Sequence, residues 1–273
     1  MLKLDKECRI IRKLILKTIG TLGVGHIGGS LSIVEALVVL YANHMNCDPQ
    51  NPKMAGRDRL IVSKGHSGPA VYSVLARKGY FSEDWLLTLN QPGTNLPSHC
   101  DMNLTPGIDM TTGSLGQGFS CAAGIAKASK IRNDGATIYA IIGDGESQEG
   151  QIWEASMFAS QHKLDNLIAF TDYNKMQIDG TIDEICALEP LDAKWRAFGW
   201  DVVVVKNGHD CNEIDSAIRF AKFSNKPTMI ILHTIKGNGI SFAESAGVDS
   251  HSMQVNKELL AKAMEELEKA IID

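Results

Sequence analysis

At 273 residues, with 44% hydrophobic and 22% charged side chains, the chain has an ordinary globular composition and enough apolar surface for a large core. A formal net charge of −5, with basic residues scattered rather than blocked, argues against nucleic acid or an anionic membrane as the main partner. No apolar run approaches the roughly 20 residues that span a bilayer, the N-terminus has no leader-like apolar core, and the six cysteines show no metal or disulfide spacing, which fits a reducing cytoplasm.

Residues 2–20 place Leu4, Ile10, Ile11, Leu14, Ile15 and Ile19 on a helical period, with basic residues on the other face. A glycine-rich turn follows, then a helix over 32–45, a short strand over 60–63 and a helix over 68–77. Residues 91–112 read as a long loop, a feature that in a compact domain is usually functional. A helix over 115–131 leads into 137–142, a β-branched apolar run that reads as a buried parallel strand. A helix over 147–162 and a strand over 167–170 complete a βαβ unit. Helix 193–198, strand 201–205, helix 213–223 and strand 228–233 come next, and 257–271 is a charged amphipathic helix. This alternation predicts an α/β fold: a doubly wound, mostly parallel sheet with helices on both faces. With no repeat, low-complexity tract or linker, residues 1–273 read as a single domain.

Gly143-Asp144-Gly145 falls at the C-terminal end of strand 137–142, where open α/β sheets bind ligands. Strand 167–170 ends just before Asp172 and Asn174, so Asp144 and Asn174 can approach each other across 174 − 144 = 30 residues. The Asp144 carboxylate, the Asn174 side-chain oxygen and a main-chain carbonyl at Met176 suit magnesium, which takes one or two protein oxygens and completes its shell with phosphate and water. Calcium or manganese can substitute. Glycines flanking Asp144 let the backbone approach a diphosphate, and a helix beginning near Ser147 can aim N–H groups at it. The tripeptide alone is equally compatible with a turn carrying a solvated aspartate.

Gly23-Val24-Gly25-His26-Ile27-Gly28 matches the dinucleotide fingerprint G-x-G-x-x-G, and Asp48 lies 48 − 28 = 20 residues beyond it. That fingerprint requires a strand delivering the first glycine. Here the preceding segment has a helical period with Arg12, Lys13 and Lys17, so the glycines read as a turn that exposes His26 to a ligand. Of eight histidines, His26, His66, His99 and His251 lie in loops rich in small residues, where an imidazole can reach a ligand and move protons near neutral pH. The default for any one of them is a surface or satisfied core position. His44, His162, His209 and His233 read as structural.

The segment from Gly143 through Glu149, Glu154 and Asn174 to Asp179-Gly180 resembles the thiamine diphosphate motif of transketolases. The resemblance extends over nearly the whole chain, through His26, Ser63-Lys64-Gly65-His66, His99, Thr111-Thr112-Gly113-Ser114-Leu115-Gly116-Gln117-Gly118 and His251. It implies that Gly113, Ser114, Leu115 and His66 contact thiamine diphosphate, that Gly145 and Asn174 meet its diphosphate, and that Asp144, Asn174 and the Met176 carbonyl hold magnesium. It further implies that His26, His99 and His251 hydrogen-bond sugar hydroxyls, with His26 and His251 transferring protons and His251 also touching the cofactor. Glu149 and Glu154 resemble family acids near a subunit interface, although a solvated helix face explains them as well. Two positions depart from the family pattern: Cys100 stands where a proline often follows the loop histidine, and Met176 replaces a frequent isoleucine.

The resemblance is to the N-terminal half of that family only. In the family, activation of the cofactor ring depends on a glutamate of a second, pyrimidine-binding domain, and this chain ends before any such domain. The expected function is therefore one subunit of a split transketolase. It would move a two-carbon ketol unit from a phosphorylated or similarly anionic ketose to an aldose, only with a separate C-terminal (pyrimidine-domain) subunit in a heterotetramer or larger assembly. Another thiamine-dependent ligase, such as a deoxyxylulose-phosphate synthase or a 2-oxoacid dehydrogenase component, is the alternative, and a scaffold subunit that has lost its chemistry is a third reading. The histidine set and Asp144 with Asn174 favour the transketolase.

Overall fold

A computed structural model describes residues 2–269. Helix α1 (Leu2–Leu22) follows the expected period and buries Ile11, Ile15, Leu16 and Ile19. After it come a two-residue strand β1 (Val24–Gly25), helix α2 (Gly28–Leu31), and helix α3 (Val34–Val39) extended by a π-helical turn at Leu40–His44. The single helix expected over 32–45 is therefore broken and begins earlier. At the break the Ser32 hydroxyl donates to the Asp172 carboxylate at 2.6 Å, and Ile33 leaves helical geometry at φ −106°, ψ 9°.

Strand β2 (Arg59–Val62) leads through a 3-10 turn at Gly65–Ser67 into α4 (Gly68–Lys78), which ends on left-handed Gly79 at φ 88°. A 3-10 segment at Glu83–Thr88 precedes the long loop, which holds no regular element before α5 (Gln117–Arg132). The order continues β3 (Ile138–Gly143), α6 (Gly150–Gln161), β4 (Leu167–Tyr173), α7 (Ile182–Ile185), α8 (Leu191–Ala197), β5 (Asp201–Val205), α9 (Cys211–Lys222), β6 (Thr228–His233), α10 (Ser241–Ala246), β7 (Met253–Gln254) and α11 (Lys257–Lys269). The expected end of the last helix at 271 lies outside the described residues. Strand β4 runs three residues past the expected 170, so Asp172 is a strand residue rather than the start of a loop. Among the described residues no helix is long and apolar enough to cross a membrane.

The main sheet has strand order β2-β3-β4-β6-β5, and every pairing in it is parallel. Alternation along the strands divides the apolar side chains between two cores. On β3, Tyr139 and Ile141 join one core with α1, α3, α4 and α9, while Ile138, Ala140 and Ile142 join the other with α5, α6 and α8. Phe119, Trp195 and Trp200 fill the second core, each burial contributing about 1.5–3 kcal/mol. A separate antiparallel ribbon pairs β1 with β7, Val24 against Gln254 and Gly25 against Met253. The parallel sheet turns the C-terminal ends of β2, β3, β4 and β6 toward one edge, and the site is assembled there.

Candidate functional site

At that edge the loops enclose a cavity of about 310 Å³. His26, His66, His99, His251, Gly113, Leu115, Asp144, Gly145, Asn174 and Met176 all line it. Of the positions expected to touch cofactor or metal, Ser114 alone stands outside, with its side chain exposed. Glu149 and Glu154 also lie outside, exposed at the start of α6. No parallel strand precedes Gly23: α1 delivers it, so the glycine turn serves the cavity and is not a dinucleotide fingerprint.

Each histidine arrives by its own element. His66 rides on the 3-10 turn after β2, and the β1–β7 ribbon brings His26 and His251 together from opposite ends of the chain. His26 has its ring centroid 5.6 Å from His66, 5.5 Å from His99 and 5.5 Å from His251, and His66 is 4.8 Å from His251. The long loop that carries His99 is closed where the Thr112 amide donates to the Cys100 carbonyl at 3.0 Å. That main-chain bond sets the loop's shape without the proline, and it seats Gly113 beside the His99 ring. Gly65 is required for the same reason, since a Cβ there would meet the Thr112 carbonyl carbon at 2.7 Å.

Burial holds all four imidazoles below their ordinary pKa. His66 lies well below it, and desolvation with the nearby Lys236 pushes His251 down to about 4. Neutral imidazoles offer one donor and one acceptor each, the chemistry needed to hold hydroxyl groups and relay a proton. There is also a cost in acid. Unfolded histidines take up protons near pH 6.5, whereas the folded cluster resists until lower pH, so the unfolded state binds more protons across that interval. The histidines' share of the stability should therefore drain away as pH falls from 6.5 toward 4, opposed by the raised carboxyl of Asp144, so His251→Gln should lose less across this interval than the unmodified chain. Melting temperatures of the two proteins that change in parallel across this interval would contradict it.

Asp144 lies just past β3 and Asn174 just past β4, and the register Gly143 to Asp172 sets the two strand ends side by side. The Asp144 carboxylate is 2% exposed, accepts from the Gly145 and Lys175 amides at 2.8 and 2.5 Å, and is pushed up to about 7 by burial and by Asp172. No side-chain cation pairs with it among the described residues, so a buried carboxylate remains that a metal ion would neutralise. Lys175, left-handed at φ 63°, makes the turn that brings Met176 round, and Asn174 Oδ1 accepts from the Met176 amide at 3.1 Å. One carboxylate, one amide oxygen and a carbonyl form an all-oxygen set suited to a hard cation.

Sequence reasoning missed the groups that hold this edge rigid. Lys64 and Asp172, 2% and 0% exposed, form an ion pair at 2.6 Å in the cavity wall. Lys64 also donates to the Gly29 carbonyl at 2.8 Å, and the same Asp172 oxygen accepts from Ser32 at 2.6 Å and from the Asn174 amide at 3.0 Å. Burial pushes the Asp172 carboxyl up, but Lys64 and these donors outweigh it and hold it below the usual range. Glu146, also buried, accepts from Ser63 and from the Gly116 and Gly143 amides, tying the ends of β2 and β3 to the start of α5. Lys64 lay in the Lys-Gly-His turn and Glu146 beside Gly-Asp-Gly, so their place in those motifs was the one signal for them, and their distant partners left none.

A family model described as "Transketolase, thiamine diphosphate binding domain" matches residues 5–268. The chain is 60% identical over 267 residues to the 6-deoxy-6-sulfo-D-fructose transketolase subunit SqwG of Clostridium sp. (strain MSTE9), covering 97% of this chain and 96% of that one. It is 38% identical over 262 residues to an apulose-4-phosphate transketolase subunit of Phocaeicola vulgatus, covering 94% and 92%. It also superimposes on a crystal structure of transketolase from Campylobacter jejuni with a TM-score of 0.91 at 33% identity, covering 98% of this chain but only 43% of that longer chain. With the helix-covered parallel sheet and the cavity at its C-terminal edge, these matches identify the chain as a member of the transketolase family, a subunit-length one built on the family's thiamine diphosphate binding domain.

Proposed function

We propose that the chain is one half of a split transketolase, in which it binds magnesium and thiamine diphosphate and acts only with a separate pyrimidine-domain subunit. The observation that carries this reading is the joint opening of four neutral histidines and the Asp144–Asn174 pair onto one cavity. Asp144, Asn174 and the Met176 carbonyl would hold the metal, and Gly113, Leu115, Gly145 and His66 the cofactor, with the whole chain serving as one binding unit. When bound, the cofactor supplies the carbanion chemistry that breaks and forms the carbon-carbon bond. This chain's own residues then orient the sugar: His26, His99 and His251 take hydrogen bonds from its hydroxyls, and His26 and His251 accept or return a proton at a hydroxyl oxygen. Glu149 and Glu154, exposed at the start of α6, would face the partner subunit in a heterotetramer or larger assembly, in the cytoplasm.

The donor is a ketose with an anionic tail. The high identity to a subunit named for 6-deoxy-6-sulfo-D-fructose supports a sulfonated ketose ahead of a phosphorylated one. Ketol transfer should be undetectable for the lone chain, should appear when the partner subunit is added with magnesium and thiamine diphosphate, and should be fastest with the sulfonated donor in a panel of ketoses. Transfer by the lone chain at the rate of the assembly would refute the split-subunit reading. A preference for phosphorylated donors would refute the substrate assignment alone.

A further inference from the structure

We infer that Glu146 is a positioning residue for this site: its carboxylate fixes segment 113–115 relative to the Asp144 end of the cavity, so that one ligand can span both; the inference rests on the thiamine diphosphate reading above. Glu146 sits in the 3-10 turn Gly145–Gln148 directly after Asp144, lines the cavity and is 2% exposed. Its two oxygens accept from three parts of the chain. Oε2 takes the Gly143 amide, at the end of β3, at 3.1 Å, and Oε1 takes the Gly116 amide, at the N-cap of α5, at 2.8 Å. Oε1 also accepts from the Ser63 hydroxyl just past β2, and the Ser63 oxygen accepts in turn from the Phe119 amide in the first turn of α5 at 3.0 Å.

Segment 113–115 has little else to hold it. It belongs to no helix or strand, and it is tied on one side where the Thr112 amide donates to the Cys100 carbonyl at 3.0 Å and on the other where Gly116 donates to Glu146. Between those ties the Gly113, Ser114 and Leu115 amides find no acceptor among the described residues, and the Ser114 carbonyl accepts only the Gln117 amide, at 3.4 Å. Gly116 is left-handed at φ 81°, a conformation that turns the segment into α5. Its buried N–H needs an acceptor, and Glu146 supplies it from the strand end that carries Asp144. One carboxylate thus couples the two ends of the cavity. A ligand that reaches both meets a segment already ordered, whereas a ligand confined to the Asp144 end gains nothing from that ordering.

The test takes the full chain, assembled with magnesium and the partner subunit, and compares it with its Glu146→Gln and Asp144→Asn variants. Calorimetry with thiamine diphosphate and with inorganic pyrophosphate supplies the affinities, pyrophosphate being too short to reach beyond the metal end. A carboxamide keeps the shape of the side chain but accepts through one oxygen, so at least one of the donors on Glu146 is left unmatched. Glu146→Gln should weaken thiamine diphosphate binding by about tenfold and pyrophosphate binding by no more than about twofold, whereas Asp144→Asn should lose both. Equal losses for the two ligands in Glu146→Gln, or an unchanged thiamine diphosphate affinity, would make Glu146 a structural residue and overturn the inference with the cofactor reading intact. Hydrogen exchange on the unmodified, ligand-free assembly needs no variant: the Gly116 amide should exchange as slowly as the amides of β3, and fast exchange there would also overturn the inference. Failure of the unmodified assembly to bind thiamine diphosphate would overturn both.

Discussion

Asp144→Asn should abolish magnesium-dependent retention of thiamine diphosphate, lowering affinity roughly a hundredfold or more. Substitutions one shell further out from a metal typically cost ten- to a hundredfold, and this one removes the sole carboxylate of the proposed set. The amide is nearly isosteric and can still accept one of the two main-chain hydrogen bonds that Asp144 receives from Gly145 and Lys175, so the fold should survive. Circular dichroism would confirm that survival, and calorimetry with and without a chelator would read the effect. If the variant bound the cofactor as tightly as the unmodified chain and still responded to magnesium, the metal would sit elsewhere.

The largest effect on stability is expected at Lys64. Lys64→Met leaves the wholly buried Asp172 carboxylate without its cation, and breaking a buried pair from one side typically costs about 3–5 kcal/mol. For a chain of this size that corresponds to a fall of roughly 6–20 °C in melting temperature. The double variant Lys64→Met with Asp172→Asn should regain much of the loss, because a neutral amide no longer needs the ammonium and can still bond Ser32 and Thr234. Additive losses in denaturant unfolding would show that the two groups are not coupled. The same pair fixes Asn174 through Asp172, so Lys64→Met should also weaken cofactor binding even where the protein stays folded.

The sheet was legible in the sequence wherever a strand is a continuous run of β-branched and apolar residues. Strands β5 and β6 begin and end where the apolar runs do, and β3 differs by a single residue at each end. Strand β4 was read short because Asp172 looks like a turn residue; only the distant lysine that neutralises it makes a carboxylate tolerable inside a strand. The same aspartate accepts from Ser32 at the helix break after Gly28, beside Ile33, where the backbone leaves helical geometry. Histidines in glycine-rich loops, with Asp144 and Asn174 at strand ends, marked the cavity correctly because loops at that edge have few other reasons to carry such residues. The network in its wall was hidden: Lys64 with Asp172 and Glu146 with Ser63 join partners 108 and 83 positions apart, and no local pattern records such pairs.

The ribbon of β1 and β7 joins positions separated by 254 − 24 = 230 residues, and through it two of the four histidines find each other. Closing so long a loop is among the slower and entropically costlier events available to a chain of this size. During synthesis the parallel sheet can condense well before residue 254 leaves the ribosome, while the pocket has to wait for it. Coenzyme capture would then act as a late checkpoint, open only to molecules whose two extremities have already met.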